Sequence, residues 1–247
     1  MPLFMYNFFK SIAKAVIPQQ VLINNEENFR KLLIPLYKGS NNECNVCGTK
    51  LKGFAELPNG EKICPICGSL PRARRLYHLL ETEFLKPGIS FLDFSPFRIL
   101  YKKLKNKKEI QYFSSDYEDD FIADYHFDIR NIEAEDNKFD LITCYHILEH
   151  VIEDTDAMKD LYRVLKPSGT LLVQTPFKEG DIYEDYSIIT PEGRLKYFGQ
   201  DNHVRIYSVE GLKKRLEDAG FKVEVRNFAD DRYYGLSGQE KILVCTK

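Results

Sequence analysis

Two short turns of one design, Cys44-Asn45-Val46-Cys47-Gly48 and Cys64-Pro65-Ile66-Cys67-Gly68, constrain this chain more than any other stretch. A Cys-x-x-Cys turn sets two sulfurs on one side of a single point, and two such turns supply the four tetrahedral ligands that zinc prefers. The glycine after each pair lets the backbone fold back toward the sulfurs. Sixteen residues separate the turns, a spacing typical of zinc ribbons, and Pro58-Asn59-Gly60 marks a hairpin between them. Residues 44–71 are therefore expected to form a zinc-ribbon module with Cys44, Cys47, Cys64 and Cys67 as ligands. Four thiolates leave no open position, so the expected role is structural: the ion holds together a segment too short to build a core.

The other two of the six cysteines, Cys144 and Cys245, fall in strand-like runs far apart in sequence. That usage points to a metal site in a reducing compartment rather than a disulfide framework, and a cytoplasmic location is expected. No apolar run reaches the roughly 20 residues needed to span a bilayer. Residues 1–43 read as a helical segment. Within it, Met1–Gln20 mixes Leu3, Phe4, Phe8, Phe9, Ile12, Val16 and Ile17 with Lys10 and Lys14, without a recognisable secretory cleavage site. An amphipathic helix of this kind packs on protein or makes peripheral contact with a membrane. A second helical pattern, Phe29, Leu32, Leu33 and Leu36, runs into Gly39-Ser40-Asn41-Asn42, which reads as a loop.

At 247 residues and 43% hydrophobic, the chain can bury one sizeable core and still carry an appendage. Residues 72–247 supply that core. Arg72, Arg74 and Arg75 open a helix running to about Leu85, and the cluster suits either a phosphate or a salt-bridging face. Strand-like runs follow at Ser90–Phe94, Gln111–Ser115, Leu141–Cys144 and Thr170–Gln174, with a weaker one near Ala123–Phe127. Helical patterns at Arg98–Leu104, Asp154–Leu165 and Val209–Ala219 alternate with them, and Lys222–Phe228 and Lys241–Cys245 close the chain as two more strands. The pattern predicts an α/β, Rossmann-like, doubly wound, mostly parallel sheet with a C-terminal antiparallel hairpin.

In such a sheet, ligands bind beyond the carboxyl ends of the strands. The run Phe139–Cys144 breaks there into Tyr145-His146-Ile147-Leu148-Glu149-His150. A helix starting near His146 would put His146, Glu149 and His150 on one face. They would serve as helix-capping contacts, as a proton-accepting site, or as a metal site whose two imidazoles favour softer ions. Net charge is −2, which argues against a broad basic surface for nucleic acid.

With these elements placed, residues 72–247 resemble the class I S-adenosylmethionine-dependent methyltransferases. The carrying residues are Phe139-Asp140-Leu141-Ile142 before Leu148-Glu149-His150-Val151, then Leu161-Tyr162-Arg163-Val164-Leu165-Lys166-Pro167-Ser168-Gly169-Thr170-Leu171. Tyr183-Glu184-Asp185 and Phe198–Tyr207 are similar to a narrower bacterial group in which cysteine knuckles precede the catalytic domain. The family's first motif carries a glycine-rich loop, whereas the matching place here is Phe91-Leu92-Asp93-Phe94-Ser95-Pro96-Phe97, without glycine. Side chains at Phe94, Ser95 and Phe97 are expected to reshape the cofactor pocket or push the cofactor outward.

The resemblance implies S-adenosylmethionine as cofactor, with Asp93, Ser95, Asp116, Asp128, Ile129 and Tyr145 around it. Asp116, 23 positions after Asp93, matches the carboxylate that takes the ribose hydroxyls, and Asp128-Ile129 matches the adenine-contacting pair. For Asp116 the alternative is an acid-rich solvated loop that includes Glu118, Asp119, Asp120 and Asp124. His150, His146 and His203 are candidate bases. The long connection 176–207 is expected to hold the acceptor through Asp185, Tyr186, Gln200, His203 and Arg205. The leading reading is methyl transfer to a small-molecule or sugar-like acceptor, most simply at oxygen. An RNA methyltransferase gripping RNA through the ribbon, and a non-catalytic scaffold of the same fold, stand beside it.

Overall fold

The computed structural model describes residues 30–118 and 122–247. The expected helix of Met1–Gln20, residues 21–29 of the second helical pattern, and Asp119 and Asp120 of the acidic loop lie outside the described residues. Two compact units divide the chain: one closes at Phe84 and also takes in Phe228–Glu240, and the other comprises Leu85–Asn227 with Lys241–Lys247.

In the first unit, α1 (Ile34–Tyr37) leads into β1 (Lys38–Glu43), which pairs antiparallel with β2 (Lys50–Leu51). The loop expected at Gly39–Asn42 is thus strand. Gly39 is required by close approach rather than by a turn, since a Cβ there would lie 2.5 Å from Lys52 Cγ. β3 (Ala55–Glu56) and β4 (Lys62–Ile63) form the expected hairpin, and α2 (Pro71–Leu79) follows, starting on a proline suited to a first helical turn.

Arg74 and Arg75 of α2 do not present an open phosphate site, and Arg72 donates to Glu61 at 3.0 Å. Arg74 is fully buried and donates to the carbonyls of Ser69, Lys62, Tyr234 and Gly235, while Arg75 donates to those of Ala229 and Ser237. Their guanidinium planes also lie over the Phe54 and Phe228 rings, at 4.2 and 4.5 Å. These bonds explain why 228–240 belongs to this unit although it lies far from the cysteine turns in sequence. Phosphate recognition needs open donors, and these donors are spent on backbone.

The second unit is built on a six-stranded sheet of order β11-β12-β8-β7-β5-β6. Its strands are β5 (Ser90–Phe94), β6 (Gln111–Ser115), β7 (Phe139–Tyr145), β8 (Leu165–Gln174), β11 (Lys222–Asn227) and β12 (Lys241–Thr246). β5, β6, β7 and β8 are mutually parallel, and β11 and β12 form an antiparallel hairpin added to β8. The weak strand expected near Ala123–Phe127 reduces to one parallel bridge, Ser115 to Tyr125. Helices α3 (Arg98–Lys105), α4 (Asp154–Val164) and α6 (Val209–Asp218) follow the expected pattern. Leu92, Phe94, Ile142, Met158, Leu161, Leu171, Leu212 and Leu243 belong to one buried apolar cluster against the sheet. Among the described residues, no helix is long and apolar enough to cross a membrane.

The chain leaves β5 for β6 on one side of the sheet and returns to β7 on the other. Such a reversal opens a crevice beyond the carboxyl ends of the two central strands. The long connection 176–207 folds into β9 (Tyr183–Glu184), α5 (Pro191–Phe198) and β10 (Arg205–Ile206), with β9 and β10 antiparallel.

Candidate functional site

At the end of β5 the backbone turns at Ser95 with φ of +45°, a left-handed conformation that glycine usually supplies. A serine tolerates it because the turn is tied on both sides. Its amide donates to Ser115 O at 2.7 Å, and its Oγ donates to Asp116 Oδ1 at 2.7 Å. Phe94, expected to crowd the cofactor, is instead packed in the apolar core, and Phe97 meets Tyr145 edge-on at 6.3 Å. The glycine-free motif therefore keeps the turn while Phe94 stays out of the crevice.

Asp93 lies under this turn with both carboxylate oxygens engaged: Tyr112 Oη donates to one at 2.8 Å and Thr143 Oγ1 to the other. Burial pushes its pKa up to about 6 despite these two donors. Its oxygens are committed to the sheet, so it braces the strand ends rather than offering a free acceptor. Asp116 is buried at the end of β6, and its carbonyl lies 3.0 Å from His126 Nδ1.

Asp128 is ion-paired. Arg130 holds it through Nε and Nη2 at 2.7 to 3.1 Å, and the same guanidinium reaches Glu153 at 2.8 Å. The neighbouring Ile129 is buried in the apolar cluster. The pair expected at the adenine thus combines an ion-paired, partly exposed carboxylate with a core residue. Two polar groups that sequence reasoning passed over stand at the end of β8: Gln174 Oε1 and Thr175 Oγ1 are buried and accept or donate no hydrogen bond. The rule that pointed to the end of β7, applied to β8, would have found them.

The helix expected from His146 does not form. His146 has φ of +56°, Leu148–His150 make a turn, and α4 starts only at Asp154. Arg205 supplies the reason. It is 0% exposed, and its donors go to the carbonyls of Leu148 (3.1 Å), Val151 and Ile152 (2.8 Å), to Glu184 Oε2 (2.9 Å) and to Tyr186 Oη (3.0 Å). A continuing helix would use those carbonyls for its own amides. Arg205, expected to hold the acceptor, is therefore a buried brace for the turn, and Tyr186 caps it. Glu184 also accepts from Arg215 Nη2 at 2.6 Å. Burial alone would raise the Glu184 pKa, but the Arg215 and Arg205 hydrogen bonds outweigh it and hold it at about 2.

This turn presents Glu149 and His150 to His203, which arrives just before β10; the Val204 amide donates to Glu149 O at 2.9 Å and locks the two segments. The His150 and His203 rings meet edge-on with centroids 4.6 Å apart. One ligand-type atom from each of Glu149, His150 and His203 lies within 4.8 Å of the others. Glu149 is 1% exposed, and neither carboxylate oxygen receives a hydrogen bond. His146 Nδ1 stands 3.3 Å from Glu149 Oε1, close enough for an ion pair but off the line of a hydrogen bond. Burial lowers the His203 pKa, which favours a neutral imidazole. Asp185 and Gln200 are exposed on the connection, and Asp185 accepts from the amide and hydroxyl of Ser187.

In the first unit, the sulfurs of Cys44, Cys47, Cys64 and Cys67 also lie within 4.8 Å of one another. Gly48 (φ +69°) and Gly68 (φ +78°) close identical turns, their amides donating to Cys44 O and Cys64 O. Ser69 Oγ stands 3.3 and 3.2 Å from the Cys44 and Cys67 sulfurs. None of the six cysteines is in a disulfide.

The parallel sheet, its reversal at β5 and β7, and the terminal hairpin define the Rossmann-like fold of S-adenosylmethionine-dependent methyltransferases. A family model described as methyltransferase domain matches residues 59–225, and the chain belongs to that family. Among curated proteins, it is 34% identical over 110 residues to the ubiquinone/menaquinone biosynthesis C-methyltransferase UbiE of Psychromonas ingrahamii (42% of this chain, 44% of that one). It is 33% identical over 117 residues to UbiE of Vibrio cholerae (42% of each chain). The chain thus spans less than half the length of the curated relatives it matches.

Among solved structures, the methyltransferase in complex with the Trm112 methyltransferase activator of Haloferax volcanii aligns with a TM-score of 0.51 at 16% identity, covering 69% of this chain and 88% of that one. Phosphoethanolamine N-methyltransferase 2 of Haemonchus contortus, in complex with S-adenosyl-L-methionine, aligns with a TM-score of 0.51 at 17% identity, covering 70% and 52%. At these identities the likeness concerns the fold.

Proposed function

We propose that this chain transfers the methyl group of S-adenosylmethionine to a hydroxyl oxygen of a small-molecule or sugar-like acceptor. The observation that carries the reading is the Ser95–Asp116 hydrogen bond between the ends of β5 and β6, on the strand where the sheet order reverses. It restores a glycine-like turn and sets a buried carboxylate beside it, where the nucleoside of the cofactor would bind. In this reading Asp116 accepts from the ribose hydroxyls and Tyr145 lines the crevice, while Asp93 holds the strand ends in place. When bound, the cofactor supplies a methyl already activated by its sulfonium.

The protein's part is alignment and handling of the acceptor's proton. In this reading Glu149, His150 and His203 serve the second task, with His150 foremost, and the exposed Asp185 and Gln200 meet the acceptor. The cysteine cluster is read as a structural zinc site, supported by four convergent thiols and two matching turns.

Carbon methylation is a second reading, supported by the UbiE relatives, which are C-methyltransferases by name. Incubation with methyl-labelled S-adenosylmethionine and a panel of polyols, sugars and phenols separates the two. Label in an acid-stable ether, reduced at least about tenfold in His150→Ala, is the expected outcome. Label on ring carbon would replace oxygen methylation with the second reading.

A further inference from the structure

We infer that Glu149, His150 and His203 form a second metal site, binding a divalent first-row transition ion of the zinc class with open coordination positions. The inference rests on the methyl-transfer reading for its purpose, but on its own geometry for its existence. Three ligands suited to such an ion converge within 4.8 Å, from a turn and from a segment 53 positions further on. A 1% exposed carboxylate whose charged neighbour, His146 at 3.3 Å, stands out of hydrogen-bond alignment is the independent sign. Burying a carboxylate without a partner costs several kcal/mol, roughly, so such a group is normally paired or bound to a cation.

Among the described residues, no lysine or arginine is paired with Glu149, and the His146 imidazole stands 3.3 Å away and poorly aligned. His146 is thereby a positioning residue for the carboxylate. Two imidazoles and one carboxylate suit zinc and its neighbours more than magnesium. Three protein ligands also leave room for an outside oxygen, unlike the four-thiolate site.

The outside ligand this site fits is the acceptor's hydroxyl. A bound cation lowers the pKa of a coordinated oxygen. With Glu149, His150 and His203 engaged as ligands in place of acting as bases, the O–H bond then breaks with its proton passing to solvent, and the oxygen's electron pair forms the bond to the methyl carbon. The carbon–sulfur bond breaks in the same step, and its electron pair stays on sulfur, cancelling the sulfonium charge. The metal's oxidation state does not change.

The test is bound metal per chain after dialysis of the full chain against micromolar free zinc, by elemental analysis. Two zinc ions per chain are expected in the wild type, and one in Glu149→Gln and in His203→Gln, each checked for native circular dichroism. His146→Gln is expected to retain two ions with weakened affinity for the second. One zinc per chain in folded wild type, or two in both folded variants, would overturn the site; if either variant fails to fold, the wild-type count decides. Calorimetry with S-adenosylmethionine on the same samples keeps the failures apart. Cofactor binding with only one zinc sinks the metal site alone, whereas two zinc ions without cofactor binding sinks the methyl-transfer reading alone.

Discussion

Replacing Arg205 with alanine is expected to destabilise the second unit by about 3–5 kcal/mol, among the largest effects of any single change in it. The side chain is fully buried and serves five acceptors, three of them carbonyls of the 148–152 turn. Alanine would leave those carbonyls in a dry cavity, where each unmade hydrogen bond costs about 1–3 kcal/mol. Glu184 and Asp154 are buffered, because Arg215 bonds both at 2.6 Å. Arg205→Lys rescues only part of the loss, since one ammonium cannot reproduce the planar fork. Denaturant unfolding measures the change. A midpoint shift equivalent to less than about 0.5 kcal/mol would mean that the brace is absent in solution. Because Glu149 and His150 lie inside the braced turn, the same variant is expected to loosen the histidine–glutamate cluster.

The second large effect concerns the cysteine cluster. If it holds zinc, thiolate ligation is folding free energy for a unit in which β2, β3 and β4 are only two residues each. Chelation, or the paired change Cys44→Ser with Cys47→Ser, is expected to abolish the tight metal equivalent and unfold the ribbon. The readout is zinc content together with proteolysis between residues 44 and 70. Undiminished protection from protease after complete zinc removal would show that the arginine-to-backbone bonds of α2 suffice to hold the unit. A thiol-labelling count gives the same answer independently: four added reactive thiols after chelation, with Cys144 and Cys245 remaining buried.

Much of this architecture was legible from residue order. β5 and β6 fall where Ser90–Phe94 and Gln111–Ser115 predict them, because short aromatic-rich runs between breakers leave little choice. The two cysteine turns are equally local, and their convergence follows from ligand chemistry. What failed to show was everything decided by a distant partner. Nothing around His146 forbids a helix; Arg205, far along the chain, takes the carbonyls that a helix would need. His203 joins Glu149 and His150 through a tertiary contact that no spacing rule encodes, so the sequence pattern favoured His146 instead. Arg74 and Arg75 looked like a charge cluster until 228–240 was seen to cover them. Ser95 in a glycine conformation is a similar case: a side-chain bond to Asp116 makes an unfavourable backbone acceptable.

Calorimetric titration of the zinc-loaded, folded chain with S-adenosylmethionine and with S-adenosylhomocysteine tests the central claim most directly. Saturable binding of both at one site per chain is predicted, weakened about tenfold or more by Asp116→Ala, the loss expected when a charged acceptor is removed from buried hydroxyls. Absence of binding to either ligand by the folded wild-type chain would contradict the account and leave a methyltransferase fold without its cofactor.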